Sequence, residues 1–170
     1  MMGGITISLD KGAVDPAEAA ALYIELGWGT RKEYSVRRME RSLAHCDIVV
    51  SARNADGELV GLGRALSDFA IDTKILDLVI APEYQRQGIG QAMMRRIASA
   101  AKGTSVYFET ERKNFPFAAK CGYEKRTGLF VFKMRRGAVR ASDKKRPRAT
   151  RNAHARGRGR VSRKQFLAQE

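Results

Sequence analysis

The chain has 170 residues, 44% of them hydrophobic, and its 32 Lys and Arg against 18 Asp and Glu give a net charge of +14. Residues 1–132 hold 18 basic and 16 acidic side chains, a net of +2, whereas residues 133–170 hold 14 basic and 2 acidic, a net of +12. A nearly neutral body of about 130 residues is one domain with its own core; no apolar run nears the roughly 18 residues of a membrane span, and two cysteines without CxxC or HxxxH spacing exclude a zinc site and a disulfide scaffold.

Residues 5–9 alternate as a short strand. Asp15-Pro16-Ala17-Glu18 then forms a capping box with proline at the first helical position, opening a helix through Leu22, Tyr23 and Leu26 with Gly27 as its stop. Trp28, the only tryptophan, sits between Gly27 and Gly29; it either walls a binding pocket or plugs the core. A second helix is expected over residues 35–45, with Val36, Met39 and Leu43 on one face and His45 as a helix-end cap. Strands at 48–53 and 59–66 flank the hairpin signal Asn54-Ala55-Asp56-Gly57. A polar turn at 68–72 leads to a strand at 74–81 that Pro82 ends. A long helical pattern then runs through Met93, Met94, Ile97 and Ala101. A strand at 105–109, a short helix around 117–120 ending at Gly122, and two short strands near 129–133 complete the body. This order predicts an α+β fold: a mixed, mainly antiparallel central sheet with flanking helices.

The body is expected to span residues 1–137. Residues 138–170 form a basic tail too poor in apolar residues to offset its ordering entropy, and it reads as disordered. Lys144-Lys145-Arg146-Pro147-Arg148 has the composition of a nuclear localisation signal, and residues 156–160 that of an Arg-Gly nucleic-acid segment. Non-specific nucleic acid contact through residues 144–164 is therefore one expectation; a solvated tail is the other. Residues 1–6 carry no readable secretory leader. A cytoplasmic protein is expected, nuclear if the source is eukaryotic, and a homodimer is compatible with the sequence.

The chemistry lies in Gln85-Arg86-Gln87-Gly88-Ile89-Gly90-Gln91, which follows a strand and Pro82 and opens a helix. Backbone N–H groups at a helix start make an anion site, two glycines let the backbone approach a phosphate, and Arg86 adds a formal charge. Neither GxxxxGK[ST] nor GxGxxG is present. From Leu78-Val79-Ile80-Ala81-Pro82 through Gln85, Gly88 and Gly90, the stretch resembles the acetyl-CoA signature of the GNAT superfamily of N-acetyltransferases, over roughly residues 5–133. Gly61-Leu62-Gly63-Arg64-Ala65-Leu66-Ser67-Asp68 with the strand from Ile75 is similar to a plastid and cyanobacterial subgroup acting on amines.

The resemblance implies transfer of acetyl from acetyl-CoA directly to a primary amine of a small molecule or peptide. It places the pyrophosphate on Arg86–Gln91 and the pantetheine arm along Leu78, Val79 and Ile80, with the Leu78 N–H as oxyanion donor. The family's F-Y-x-x-x-G-[F/Y] pattern falls on Phe117-Ala118-Ala119-Lys120-Cys121-Gly122-Tyr123, so Ala118 stands where the acid tyrosine is usual. Tyr123 or Tyr107 could serve instead, or the thiolate could leave unaided. Asp77 either deprotonates the acceptor ammonium or pairs with Arg64 on the neighbouring strand. Asp68 and Asp72 either attract a cationic acceptor or form the turn. No metal is expected. The competing reading is a degenerate acetyltransferase fold acting as a nucleic-acid-associated binding module.

Overall fold

The computed structural model describes residues 4–127; the strands expected near 129–133 and the tail from 138 lie outside the described residues. Five strands appear in it: β1 (Thr6–Ser8), β2 (Ile48–Arg53), β3 (Leu59–Ser67), β4 (Asp72–Ile80) and β5 (Ser105–Phe108). They form one sheet in the order β1-β2-β3-β4-β5, antiparallel throughout except for the parallel β4–β5 pair. A parallel pair needs a crossover, and helix α3 (Ile89–Ala100) supplies it. The expected mixed sheet is the observed one.

Helix α1 (Pro16–Glu25) starts where Asp15 accepts a hydrogen bond from the Ala17 N–H at 2.8 Å. The other half of the expected capping box is absent: Glu18 receives Arg53 of β2 at 2.7 Å instead, tying the helix to the sheet. The helix ends in a Schellman motif. Gly27 takes φ +70°, its N–H reaches Ile24 O, and the Trp28 N–H reaches Tyr23 O. That turn folds Trp28 back edge-on against Tyr23, with ring centroids 5.8 Å apart. Helix α2 (Val36–His45) buries Met39 and Leu43, one turn apart. Val36 is exposed, so the apolar face is shorter than expected.

The β2–β3 hairpin is stapled by Asn54, whose side-chain oxygen accepts from the N–H groups of Asp56 and Glu58. Two glycines on β3 set how closely the layers approach. A Cβ on Gly61 would stand 2.8 Å from Ile80 and 3.1 Å from Met93; one on Gly63 would stand 2.8 Å from Leu78 and 3.4 Å from Ile97. Leu78 and Ile80 therefore share a face with α3, whose Ile89, Met93, Met94 and Ile97 are buried there. Arg64, next after Gly63, meets Ser42 of α2 and the Tyr23 ring of α1 on the opposite face.

The starts of β4 and of the helix after β5 differ from expectation. The turn ends one residue earlier, so Asp72 opens β4 opposite Ser105 of β5. Thr73, polar but fully buried, is kept in the strand by hydroxyl bonds to Ser67 and Thr104, both at 2.7 Å. A short helix α4 (Phe115–Lys120) follows β5 with Pro116 in its first turn.

Candidate functional site

Strand β4 carries one more residue than its partner. Arg64 stands opposite Asp77 and Ala65 opposite Ile75, so Leu76 is bulged out of the ladder with β3. Beyond the bulge β4 also loses its other neighbour, because β5 pairs only with Asp72, Thr73, Lys74 and Ile75. Among the described residues, the part of β4 from Asp77 to Ile80 thus has an edge that no strand pairs.

Strand alternation decides which amides face that edge. The Ala81 N–H donates to Val60 O of β3 at 2.8 Å. Val79 and Ala81 therefore direct their backbone groups to β3, and Leu78 and Ile80 direct theirs away from it. Ile80 O is met by the Gln85 side-chain amide at 3.0 Å. This corrects the even treatment of residues 78–80 in the sequence reading: the Val79 backbone is committed to the sheet, and Leu78 and Ile80 supply the open edge.

The edge runs into the loop before α3. Arg86 takes φ +61° and Gly88 φ +87°, and Gly88 is the N-cap of α3. The first intrahelical bond is from the Ala92 N–H to Gly88 O at 3.0 Å. The N–H groups of Ile89, Gly90 and Gln91 precede it and have no helical partner. The two glycines do different things. A Cβ on Gly88 would meet nothing within 4 Å, so its requirement is the left-handed φ and the space above it. A Cβ on Gly90 would stand 3.2 Å from the Phe117 ring and 3.7 Å from Leu78, so Gly90 lets α4 and β4 close on α3. Ile89 is buried, leaving only its amide for a ligand. Gln87 bonds back to Glu83 O at 2.8 Å, which holds the loop, and Arg86 is exposed.

On the opposite face Asp77 is fully engaged. Arg64 binds both its oxygens, through Nε to Oδ1 at 3.1 Å and a terminal nitrogen to Oδ2, and the Tyr23 hydroxyl donates to Oδ1 at 2.5 Å. The Asp77 and Arg64 side chains are 6% and 11% exposed. Tyr23 is 0% exposed, and burial first, then the charge of Asp77, pushes its phenol well above its usual range. Burial opposes the charge on Arg64, but the bonds to Asp77 together with the charges of Tyr23, Asp77 and Cys46 outweigh it and hold the guanidinium above its ordinary value. Of the two sequence readings for Asp77, base or partner of Arg64, the geometry supports the second against the first: Arg64 holds both oxygens of this carboxylate and Tyr23 adds a second bond to Oδ1. Arg64 also reaches Ser42 Oγ.

Tyr123 stands on the α4 side. Its ring packs edge-on against Phe108 at 5.0 Å, and its hydroxyl is buried without a partner among the described residues. Burial pushes its pKa up. Tyr107 points to the other face of β5, half exposed, with Lys74 over its ring at 5.3 Å. Trp28 is 49% exposed, which corrects the core-plug reading: the Schellman turn leaves one edge on Tyr23 and the rest in solvent. Asp68 is a turn former, accepting from the N–H groups of Ala70, Ile71 and Asp72 at 2.8–3.0 Å; those bonds lower its pKa. His45 donates Nδ1–H to Arg41 O at 2.7 Å, a local helix-end contact.

Sequence reasoning missed Tyr23 and Ser42, which read only as helix-face residues. The one available signal was Asp77 itself, an acid in an apolar strand that demanded partners. Cys46 and Cys121 are free thiols whose pKa values burial raises, as for small apolar fillers. Among the described residues no group of three His, Cys, Asp or Glu could hold a metal, and no helix is long and apolar enough to cross a membrane.

The family model described as "Acetyltransferase (GNAT) family" matches residues 17–123, from α1 to Tyr123. The chain belongs to the GNAT acetyltransferase family. This GNAT chain is 39% identical over 75 residues to GCN5-related N-acetyltransferase 3, chloroplastic, of Arabidopsis thaliana, covering 41% of this chain and 30% of that protein. It is 26% identical over 106 residues to serotonin N-acetyltransferase 2, chloroplastic, of Oryza sativa subsp. japonica, covering 61% and 52%. The GNAT chain thus spans about a third to a half of the length of these relatives. Among solved structures, a GNAT-family acetyltransferase from Streptococcus pneumoniae TIGR4 superposes with a TM-score of 0.63 at 29% identity, over 77% of this chain and 99% of that one. An acetyltransferase from Deinococcus radiodurans R1 superposes at 0.67 with 23% identity, over 78% and 91%, which speaks to the fold alone.

Proposed function

We propose that the protein is an N-acetyltransferase that takes acetyl from acetyl-CoA and passes it directly to a primary amine. One observation carries this reading: the edge of β4 at Leu78 and Ile80, which no strand pairs among the described residues and on which only Ile80 O is taken, by Gln85, runs straight into the left-handed loop at Arg86 and Gly88. A pantetheine arm, with its alternating amides, suits the edge as an added strand. A pyrophosphate suits the free N–H groups of Ile89, Gly90 and Gln91, the open space above Gly88 and the charge of Arg86.

The chemistry follows from those placements. A neutral amine attacks the thioester carbon, and the carbonyl oxygen that gains charge faces the Leu78 N–H. The carbon–sulfur bond breaks, the thiolate leaves, and the amine nitrogen loses its proton to solvent, because Asp77 is held by Arg64 and Tyr23. Tyr123 is the phenol available on the α4 side. Its raised pKa lies above the roughly 8.5 of an ordinary thiol, so full proton transfer to the thiolate is uphill, and hydrogen-bond donation is the role that fits. Trp28, exposed beside Tyr23, stands where it can wall the acceptor.

The acceptor class and the cytoplasmic location are parts of this proposal; the chloroplastic location in the relatives' names belongs to those proteins. The nucleic-acid alternative rests on the tail, outside the described residues. The test is isothermal calorimetry with acetyl-CoA, together with CoA release across a panel of primary amines. The reading expects saturable 1:1 binding and amine-dependent release. Absence of binding at high micromolar acetyl-CoA would sink it.

A further inference from the structure

The face opposite the CoA edge carries a second feature that acetyl transfer has not yet used. Arg38, Arg41, Ser42 and His45 line a shallow, open cavity of about 300 Å3 along one stripe of α2, with Arg38, Arg41 and His45 exposed. The spacing is i, i+3, i+4, i+7, one side of a helix. Arg38 donates to the backbone carbonyl of Lys32 at 3.2 Å, and the His45 Nδ1–H is taken by Arg41 O, leaving Nε2 as its remaining polar atom. Among the described residues neither Arg38 nor Arg41 has a carboxylate within ion-pairing distance, and no acidic side chain lines the cavity. Two guanidinium groups gathered on one wall without a counter-charge favour an anion with several acceptor oxygens.

A chain of side-chain hydrogen bonds runs from the cavity wall to the strand at the proposed reacting centre. Ser42 on its wall accepts from Arg64, Arg64 binds Asp77, and Asp77 immediately precedes Leu78. Counted along those bonds, the cavity wall lies on the order of 10 Å from the Leu78 amide. It opens on the α1/α2 face, away from the α3 face where Gly90 and Phe117 close the CoA side.

We propose that this cavity is an anion subsite for the acceptor, so that the substrate is a small amine bearing a phosphate or carboxylate group some five or six bonds from its nitrogen. This rests on the acetyl-transfer reading above. The Arg38 and Arg41 guanidinium groups take the anionic end by charge-assisted hydrogen bonds, and the amine is presented to the thioester at the β4 edge. Ser42, shared between the cavity and Arg64, fixes the separation.

The test compares 6-aminohexyl phosphate, 6-aminohexanoate and 6-aminohexanol with full-length protein and saturating acetyl-CoA. A charge-assisted contact supports a kcat/KM for at least one anionic amine about ten-fold or more above that for the alcohol; which anion gains separates phosphate from carboxylate. In the Arg38→Ala/Arg41→Ala double variant the ratio is expected to fall within about three-fold of unity. Equal use of all three amines by the wild type, or a ratio that survives the double variant, overturns the proposal.

If none of these amines is turned over, inorganic phosphate titrated by phosphorus NMR into CoA-saturated protein decides instead. A saturable component present in the wild type and lost in the double variant supports the subsite, and its absence overturns it. The basic residues 133–170 are common to both proteins and cancel in that difference. Should CoA itself fail to bind, the acetyl-transfer reading falls, while the same titration without CoA still decides whether the anion site exists.

Discussion

The two faces of the sheet are built in opposite ways. The side proposed for CoA is made of backbone and is contiguous in sequence: the β4 edge, the Arg86–Gly88 turn and the first amides of α3 lie within about fourteen residues, Leu78 to Gln91. The side proposed for the acceptor is made of side chains from four elements, Tyr23 of α1, Ser42 of α2, Arg64 of β3 and Asp77 of β4, joined by hydrogen bonds. A backbone site needs only permissive residues and is tolerant of their identity. A side-chain site is specific to its members and costs stability when any one is removed.

The comparison can be broken at four points, from the largest expected effect to the smallest. Gly88→Glu places a side chain and a negative charge in the open space of the phosphate loop, at a φ that only glycine adopts without strain. It should abolish acetyl-CoA binding by calorimetry while leaving the thermal midpoint within a few degrees. Undiminished affinity would show that the loop is not the CoA side.

On the other face, Arg64→Ala strands a buried carboxylate and should lower unfolding free energy by about 3–5 kcal/mol, read by urea denaturation. The double variant Arg64→Met/Asp77→Leu removes both charges together and should recover most of that loss. If the double variant is as unstable as the single, the pair is not what holds these strands.

Tyr23→Phe removes one hydrogen bond to a charged acceptor and should cost about 1.5–3 kcal/mol. It also changes the alkaline limb. The native phenol pKa is raised, so its contribution is fully present below the unfolded value near 10 and is lost as pH rises toward the native one. Wild-type stability should therefore fall more steeply than the variant's above about pH 10. The smallest effect lies in the β3–β4 turn. Asp68 has a lowered native pKa, so its contribution exists above the unfolded value near 4 and disappears as pH falls through the native one. Asp68→Ala should therefore cost a little at neutral pH and nothing in strong acid, measured as the difference between two acid-denaturation curves.

The same division explains what could be read in advance. The strand–turn–helix junction at Gln85–Gly90 was legible because a strand, a proline, two glycines and a helix occur in one uninterrupted run whose physics is local. The turn at Asp68 was legible for the same reason. The Arg64–Asp77 pair was half legible: both residues sat in predicted strands, but their opposition depended on the register shift at Leu76, which no spacing rule marks. Tyr23 and Ser42 were illegible because helix periodicity says which face is inward, and only the packing of α1 and α2 says which inward residue meets Arg64. For Trp28 the sequence left wall and plug both open, and the Gly27 turn decides between them by placing its backbone so that one edge of the ring is covered and the rest is exposed.

Leu76 encodes by number rather than by kind. The residue has no cross-strand partner and is 41% exposed, so most side chains would serve in its place. Deleting it would leave Ile75 opposite Ala65 and Asp77 opposite Arg64 with nothing between them, and every side chain would keep its face. The strand would nonetheless run straight, and its edge would fall back alongside β5. A scan that exchanges one amino acid for another would pass over this position as neutral, although β4 parts from β5 just where the chain is one residue longer.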